Sequence, residues 1–306
     1  MCWRRLIFLI TVYLLQFAKV NSQDSTVIKY ENVIYGMVSG TALLMDVYKP
    51  QNANGLGILV IPGSAFGYFH SKSYDEVPLK DDFFSDYIGS FSRSLVNRGY
   101  TIFIINHRFA PRFHFPDIFY DCQRAVRFIR YNAKKYGIKP GNIGAVGHSS
   151  GAGLVAMLGL RDTTIKKAES PVDNVSSKVQ TVVTLAAGFI LTDLDKKEDS
   201  LMAKDLVYQA NINYIGFPPE VEGNKFVMSG KYAEASPIIY VSKDDASFLI
   251  YHSDDDLAVP VRQAKTMYEK LNSVGIDTKI VLRSKQGHTP EPDLEETDRW
   301  LKQHLQ

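Results

Sequence analysis

The chain has 306 residues, with 35 Lys and Arg against 33 Asp and Glu, for a formal net charge of +2. That length suits one α/β domain, and no basic excess points to nucleic acid as a partner. Of the two cysteines, Cys2 lies in the leading segment described next, so Cys122 stands alone in the remainder and an intramolecular disulfide there is excluded.

Residues 1–22 read as a secretory signal peptide. Arg4 and Arg5 make a basic start, residues 6–18 an apolar core too short for a membrane span, and Val20-Asn21-Ser22 a cleavage site. The expectation is a secreted or extracytoplasmic protein, residues 23–306 forming a single domain, with an uncleaved anchor as the alternative. Losing residues 1–22 removes Arg4, Arg5 and Lys19 and no acids, which leaves the rest near neutral. No other apolar run approaches spanning length. Asn174-Val175-Ser176 is a glycosylation acceptor sequence for a eukaryotic source.

Residues 27–35 and 42–48 alternate apolar and polar side chains around Ser39-Gly40, the pattern of an antiparallel hairpin at a sheet edge. Residues 58–61 are a continuous apolar run, as in a strand buried on both faces. A helical spacing over 84–98 ends at Gly99, and 101–105 is the next buried strand. Residues 117–135 are expected to form one long amphipathic helix, started by Pro116 and closed before Gly137. Strands follow at 143–146, 179–185, 248–251 and 278–282, with helices at 261–274 and 292–305. Residues 192–236 are the least regular part, with a helical piece near 201–209. Strands alternating with helices predict a mostly parallel sheet covered on both faces. The chain shows no internal repeats and no low-complexity tracts.

The stretch 142–160 carries the chemistry. A short strand ends in Gly147-His148-Ser149-Ser150-Gly151, which reads as G-x-S-x-G, and a helical pattern begins at once. A serine on a sharp strand-to-helix turn needs small neighbours, and the turn lifts its hydroxyl clear of the sheet. The first NH groups of the helix then face any oxygen bound beside it. Gly151-x-Gly153-x-x-Ala156 also approaches a dinucleotide fingerprint, but that reading needs a second strand ending in an acid about 20 residues on. Residues 161–177 supply none.

A reactive serine needs an imidazole to take its proton and a carboxylate to orient that imidazole, gathered at the C-terminal ends of the strands. Among seven histidines, His148 adjoins the serine and is expected to point elsewhere. His107 leads into Arg108-Phe-Ala-Pro111 and packs there; His70, His114 and His304 fall in loops or the last helix. His288, in Gln286-Gly-His-Thr289 just beyond the last strand, is well placed. Asp254, Asp255 and Asp256, in the loop after strand 248–251, are the candidates for the acid, against a solvated turn or a cap on the helix that follows. The order serine, aspartate, histidine is that of a nucleophile-elbow hydrolase.

The sequence thus resembles an α/β-hydrolase-fold esterase/lipase, similar to small feruloyl- and acetyl-esterase-like carboxylesterases, along nearly all of residues 23–306. Residues 108–111 resemble the family's Y-R-L-A-P stretch with His107 in place of its tyrosine, and Phe115-Pro116-Asp117 and Asp121 resemble the segment that follows. Residues 252–260 resemble its H-G-D-x-D-x-x-V-P loop, with Ser253 in place of glycine. By that resemblance Asp256 is the triad acid and Asp254 the structural one. The family's H-G-G-G segment is here Pro62-Gly63-Ser64-Ala65-Phe66, and by position the oxyanion would be held by the backbone NH groups of Ser64, Ala65 and Ser150.

The resemblance implies hydrolysis of carboxylic esters by Ser149, His288 and Asp256 through an acyl-enzyme, with a small-molecule ester as partner and no cofactor. No H-E-x-x-H and no Cys/His cluster suggests a metal. Residues 66–86, with Phe66, Tyr68, Phe69, Tyr74, Phe83 and Phe84, and residues 192–236 are expected to cover the pocket, which is expected to take a small or moderate acyl group. Two alternatives stay open. One is a secreted prolyl-peptidase-like enzyme, which would usually carry a further large domain; the other is a non-catalytic binding protein of the same fold.

Overall fold

The structure is a computed structural model that describes residues 27–38, 40–67, 80, 87–163, 165, 170–193, 201–222, 225–227 and 229–306. The expected signal segment lies outside these residues, as do Tyr68, Phe69, Tyr74, Phe83 and Phe84.

In chain order, β1 (Val27–Val38) and β2 (Thr41–Pro50) form the edge hairpin. Then come β3 (Gly57–Ile61), α1 (Tyr87–Asn97), β4 (Thr101–Ile105), α2 (Asp117–Tyr131) and α3 (Ala133–Tyr136). The central unit is β5 (Ile143–His148) and α4 (Ser149–Leu160), followed by β6 (Thr181–Leu185) and α5 (Leu201–Ile215). A small hairpin of β7 (Glu220–Glu222) and β8 (Lys225–Val227) precedes α6 (Gly230–Glu234). The chain closes with β9 (Ser247–Ser253), α7 (Arg262–Ser273), β10 (Thr278–Arg283) and α8 (Leu294–Leu305).

Among the described residues, eight strands form one sheet in the order β1-β2-β4-β3-β5-β6-β9-β10. β2 runs antiparallel to β1 and β4, and every other pairing is parallel. Strands β3, β4 and β6 are buried at every position, which explains their unbroken apolar runs. Alternation still sorts their side chains. Ile58 and Val60 pack with Leu95 of α1 and Leu301 of α8 on one face. Leu59 and Ile61 pack with Val126 of α2 and Leu154 of α4 on the other. Each such side chain contributes about 1.5–3 kcal/mol. The sheet therefore holds β5 rigidly in its centre. This is the mostly parallel, two-layer-covered sheet that the alternation of patterns predicts. No helix among the described residues is long and apolar enough to cross a membrane.

Two expectations are corrected. The helix expected over 117–135 breaks at Asn132, whose backbone NH and side-chain amide both donate to the Phe128 carbonyl, at 3.0 and 2.8 Å, and whose own carbonyl accepts the Lys135 NH in a tighter i to i+3 turn. The irregular stretch is more ordered than its pattern suggests: α5 continues to Ile215 because Ala210, Tyr214 and Ile215 are buried, and a hairpin of three-residue strands follows, too short to show alternation.

Candidate active site

β5 ends on His148 and α4 begins on Ser149 with nothing between them. The reversal is concentrated at Ser149, whose φ of +52° costs an L residue about 1 kcal/mol. Its flanks have no room for a side chain. A Cβ on Gly147 would lie 2.5 Å from the Gly151 carbonyl oxygen, and one on Gly151 would lie 2.1 Å from that of Ile61. Both glycines of the motif are thus steric requirements of the turn.

The Ser149 hydroxyl lies 2.8 Å from His288 Nε2, and His288 Nδ1 lies 2.9 Å from Asp256 Oδ2. A carboxylate can only accept, so Nδ1 carries the proton and Nε2 is left to accept from the hydroxyl. Asp256 is buried, and its other oxygen accepts the backbone NH groups of Ala258 and Val259, both at 2.9 Å. Hydrogen bonds to a charged group are worth about 1.5–3 kcal/mol each, enough to offset burial of the carboxylate. Behind it the buried His252 donates from Nε2 to the Val259 carbonyl at 2.7 Å. Burial pushes the His252 pKa down, which keeps the ring neutral.

The other two acids of the loop have a separate task. Asp254 accepts the Lys285 NH at 3.2 Å, Ser253 Oγ that of Gln286 at 3.1 Å, and Asp255 that of Gly287 at 2.9 Å. With the Asp256–His288 bond, successive residues 285 to 288 are each tied to residues 253–256, the last of β9 and the loop after it. The acid cluster was visible in the sequence; this division of labour was not.

His148 faces the same loop from the other side. Its Nε2 donates to the His288 carbonyl at 2.8 Å, and Tyr87 donates its hydroxyl to the Pro290 carbonyl beside it. Burial first, and then the neighbouring His288, push the His148 pKa down to about 4. The ring is a neutral donor near neutral pH. That role was invisible in the sequence, where adjacency to the serine argued only that it should point away.

The loop after β3 runs beside the serine turn, because β3 pairs with β5 in the middle of the sheet. The Ser64 NH donates to Ser150 Oγ at 3.1 Å, and Ser64 Oγ accepts the Gly67 NH at 2.9 Å. Ala65 and Phe66 take positive φ values of 51° and 60°. Support comes from the R-F-A-P stretch: the Ala110 NH donates to the Phe66 carbonyl at 3.0 Å, and Arg108 is held on Asp121 by two bonds of 2.9 Å. The Phe66 ring stacks on Tyr214 of α5, centroids 3.8 Å apart.

Ser149 and His288 lie in the wall of a cavity of about 220 Å³. The cavity follows α4 from Ser149 past Gly153 to Met157, about 12 Å at 1.5 Å per residue. Most of its wall is apolar, including Leu154, Leu191, Val207 and Tyr214. Of the aromatics expected to line the site, Phe66 does so; from the stretch 192–236, α5 supplies one side. The wall between β6 and α5 is fixed by Gln263, which accepts the NH groups of Phe189 and Ile190 and donates to the Ile190 carbonyl. Nothing in the sequence marked that glutamine.

Away from the cavity, Cys122 is fully buried and donates to the Ile118 carbonyl, and burial raises its pKa well above the usual thiol range. Asn174 is exposed at the end of a short 3-10 turn. Among the described residues, no group of three or more His, Cys, Asp or Glu side chains is gathered as a metal site would require.

Known proteins resemble this chain over most of its length. A probable carboxylic ester hydrolase of Mycobacterium tuberculosis, LipM, is 25 % identical over 180 residues, 59 % of this chain and 39 % of its own. An isoprenylcysteine alpha-carbonyl methylesterase of Arabidopsis thaliana is 23 % identical over 266 residues, 84 % of this chain and 56 % of its own. The chain thus spans less than two thirds of either relative. A solved carbohydrate esterase from gut microbiota superposes with a TM-score of 0.70 at 22 % identity, covering 93 % of this chain and 98 % of that one, which shows a shared α/β-hydrolase fold. The match to the BD-FAE family runs through residues 45–271, from β2 to α7 and across the serine turn, and the chain belongs to that family.

Proposed function

We propose that the protein is a carboxylic ester hydrolase working through Ser149, His288 and Asp256. The observation that carries this reading is the unbroken hydrogen-bonded line from the Ser149 hydroxyl through His288 to the buried Asp256, opening on an apolar cavity. The ester-hydrolase names of the similar proteins agree with it.

Ser149 Oγ attacks the ester carbonyl carbon as its proton passes to His288 Nε2, and Asp256 stabilises the imidazolium. The carbonyl oxygen becomes an oxyanion. In this reading the NH groups of Ala65 and Ser150 hold it, while the Ser64 NH, already engaged by Ser150 Oγ, sets the loop. The C–O bond then breaks, and the leaving alcohol takes the proton from Nε2. Water next gives a proton to Nε2 and attacks the acyl-enzyme; Ser149 Oγ recovers the proton as the carboxylic acid departs. The cavity along α4 favours acyl groups of small to moderate length. We further read residues 1–22 as a cleaved signal, so that this hydrolysis happens outside the cytoplasm; N-terminal sequencing of the protein recovered from a secreting host tests it.

The test of the activity is a p-nitrophenyl ester series from acetate to decanoate, with wild type beside Ser149→Ala. Turnover by wild type alone supports the reading and gives the cavity's working depth. A folded wild type as inert as the variant on every ester would refute it.

A further inference from the structure

Two amide side chains lie in the wall of the cavity, Asn211 at 7 % and Gln263 at 6 % exposure, and their circumstances differ. The Gln263 amide is fully committed to the backbone of Phe189 and Ile190. The Asn211 amide makes no hydrogen bond to any described residue. It stands on the face of α5 that also brings Val207, Tyr208 and Tyr214 to the cavity, where aliphatic and aromatic side chains surround it.

The amide is not sealed in protein: it is reached from the cavity, with no described protein group to pair it there, and asparagine in a helix interior is a poorer helix former than alanine. Leucine there would suit both the helix and the cavity. Tyr214, one turn further along α5, stacks on Phe66 of the loop beside Ser149, so the amide stands about 4.5 Å along the helix axis from that contact. That puts it in the space a substrate would fill, one helical turn from the loop that faces the reacting carbonyl.

We propose that Asn211 is a specificity residue that hydrogen-bonds an oxygen on the arm of the ester held in this cavity. The preferred substrate class is then an otherwise apolar ester bearing a keto, ether or hydroxyl oxygen away from the scissile bond, in preference to the plain hydrocarbon ester. The inference rests on the reading of Ser149 as nucleophile. A site built to pair a polar group rejects the analogue lacking it, because its own amide is then left unpaired.

The experiment measures kcat/KM on matched esters. One set is p-nitrophenyl hexanoate with its 4-oxo and 5-oxo counterparts; the mirrored set is hexyl acetate with the same oxo groups in the alcohol. Wild type is expected to prefer one oxo ester over its parent by about tenfold, the equivalent of one net hydrogen bond. Asn211→Leu is expected to reverse that ratio in favour of the parent. Asn211→Asp keeps the shape but, when ionised, cannot donate to a ketone, and should abolish the preference even if the leucine variant fails to fold. A wild type that favours the parent in both sets overturns the proposal, as does an oxo preference that survives in the folded variants. Those results leave the esterase reading intact. Failure of wild type to hydrolyse any ester removes that reading, and this inference with it.

Discussion

His148 donates from Nε2 to the backbone carbonyl of His288 at 2.8 Å. The residue before the proposed nucleophile thus holds the main chain of the residue proposed to activate it, across 140 positions of sequence. Removing the donor frees the His288 loop on one side, although the ties from residues 253–256 remain. His148→Ala is expected to lower kcat about tenfold with little change in KM, since the defect is in aiming the imidazole. His148→Gln, whose amide can still donate, should recover most of it. Steady-state kinetics on p-nitrophenyl acetate separate the two variants, and equal losses would deny His148 this positioning role.

The same histidine gives the fold a pH dependence with a definite sign. Its pKa falls from 6.5 in the unfolded chain to about 4 in the fold, because burial and the neighbouring His288 disfavour its charge. Between those values the unfolded state binds a proton that the folded state refuses, so stability drops as pH falls from 6.5 and levels off below about 4. Allowing for its partial exposure, the loss is about 2–3 kcal/mol. The buried His252 adds a loss of the same sign. Urea midpoints of wild type should therefore fall more steeply between pH 7 and pH 4.5 than those of His148→Gln. Parallel curves would show that His148 takes up its proton without resistance.

The three acids after β9 separate cleanly by substitution. Asp256→Asn takes away the carboxylate that fixes the His288 tautomer, and kcat should fall at least about a thousandfold. Asp255→Asn keeps an oxygen able to accept the Gly287 NH, and Asp254→Asn one for the Lys285 NH. Each should cost less than about tenfold in kcat. Equal losses at all three positions would mean that the loop, not the Asp256 charge, is what His288 depends on.

Hydrophobic pattern made the sheet legible, because every central strand is a buried run flanked by turn residues. Ser149 was legible because the turn excludes all but glycine at two flanking positions, a constraint that acts on neighbouring residues. Asp256 could be separated from Asp254 and Asp255 only by resemblance, since three adjacent acids carry no local sign of which one turns inward. His148, Gln263 and Asn211 left no sign at all. Their partners, or the lack of them, come from segments brought together by the fold, 140 residues away for His148 and 73–74 for Gln263. The break at Asn132 left no sign for the opposite reason: it is a purely local change, a side-chain bond added to the Phe128 carbonyl within a helical pattern that continues past it.

The sharpest steric test of the serine turn compares two glycines that are near in sequence. A methyl group on Gly151 would press into backbone, 2.1 Å from the Ile61 oxygen and 2.5 Å from the Pro62 oxygen, and neither strand end nor helix can retreat without moving Ser149. A methyl group on Gly141 meets nothing within 4 Å. Gly151→Ala should therefore cost more than about 3 kcal/mol, or prevent folding, whereas Gly141→Ala should stay within about 0.5 kcal/mol of wild type. Thermal melts of the two variants decide it. A well-folded Gly151→Ala would mean that β3 and α4 are not packed backbone to backbone, and the position of the Ser149 hydroxyl over His288 would then lose its physical basis.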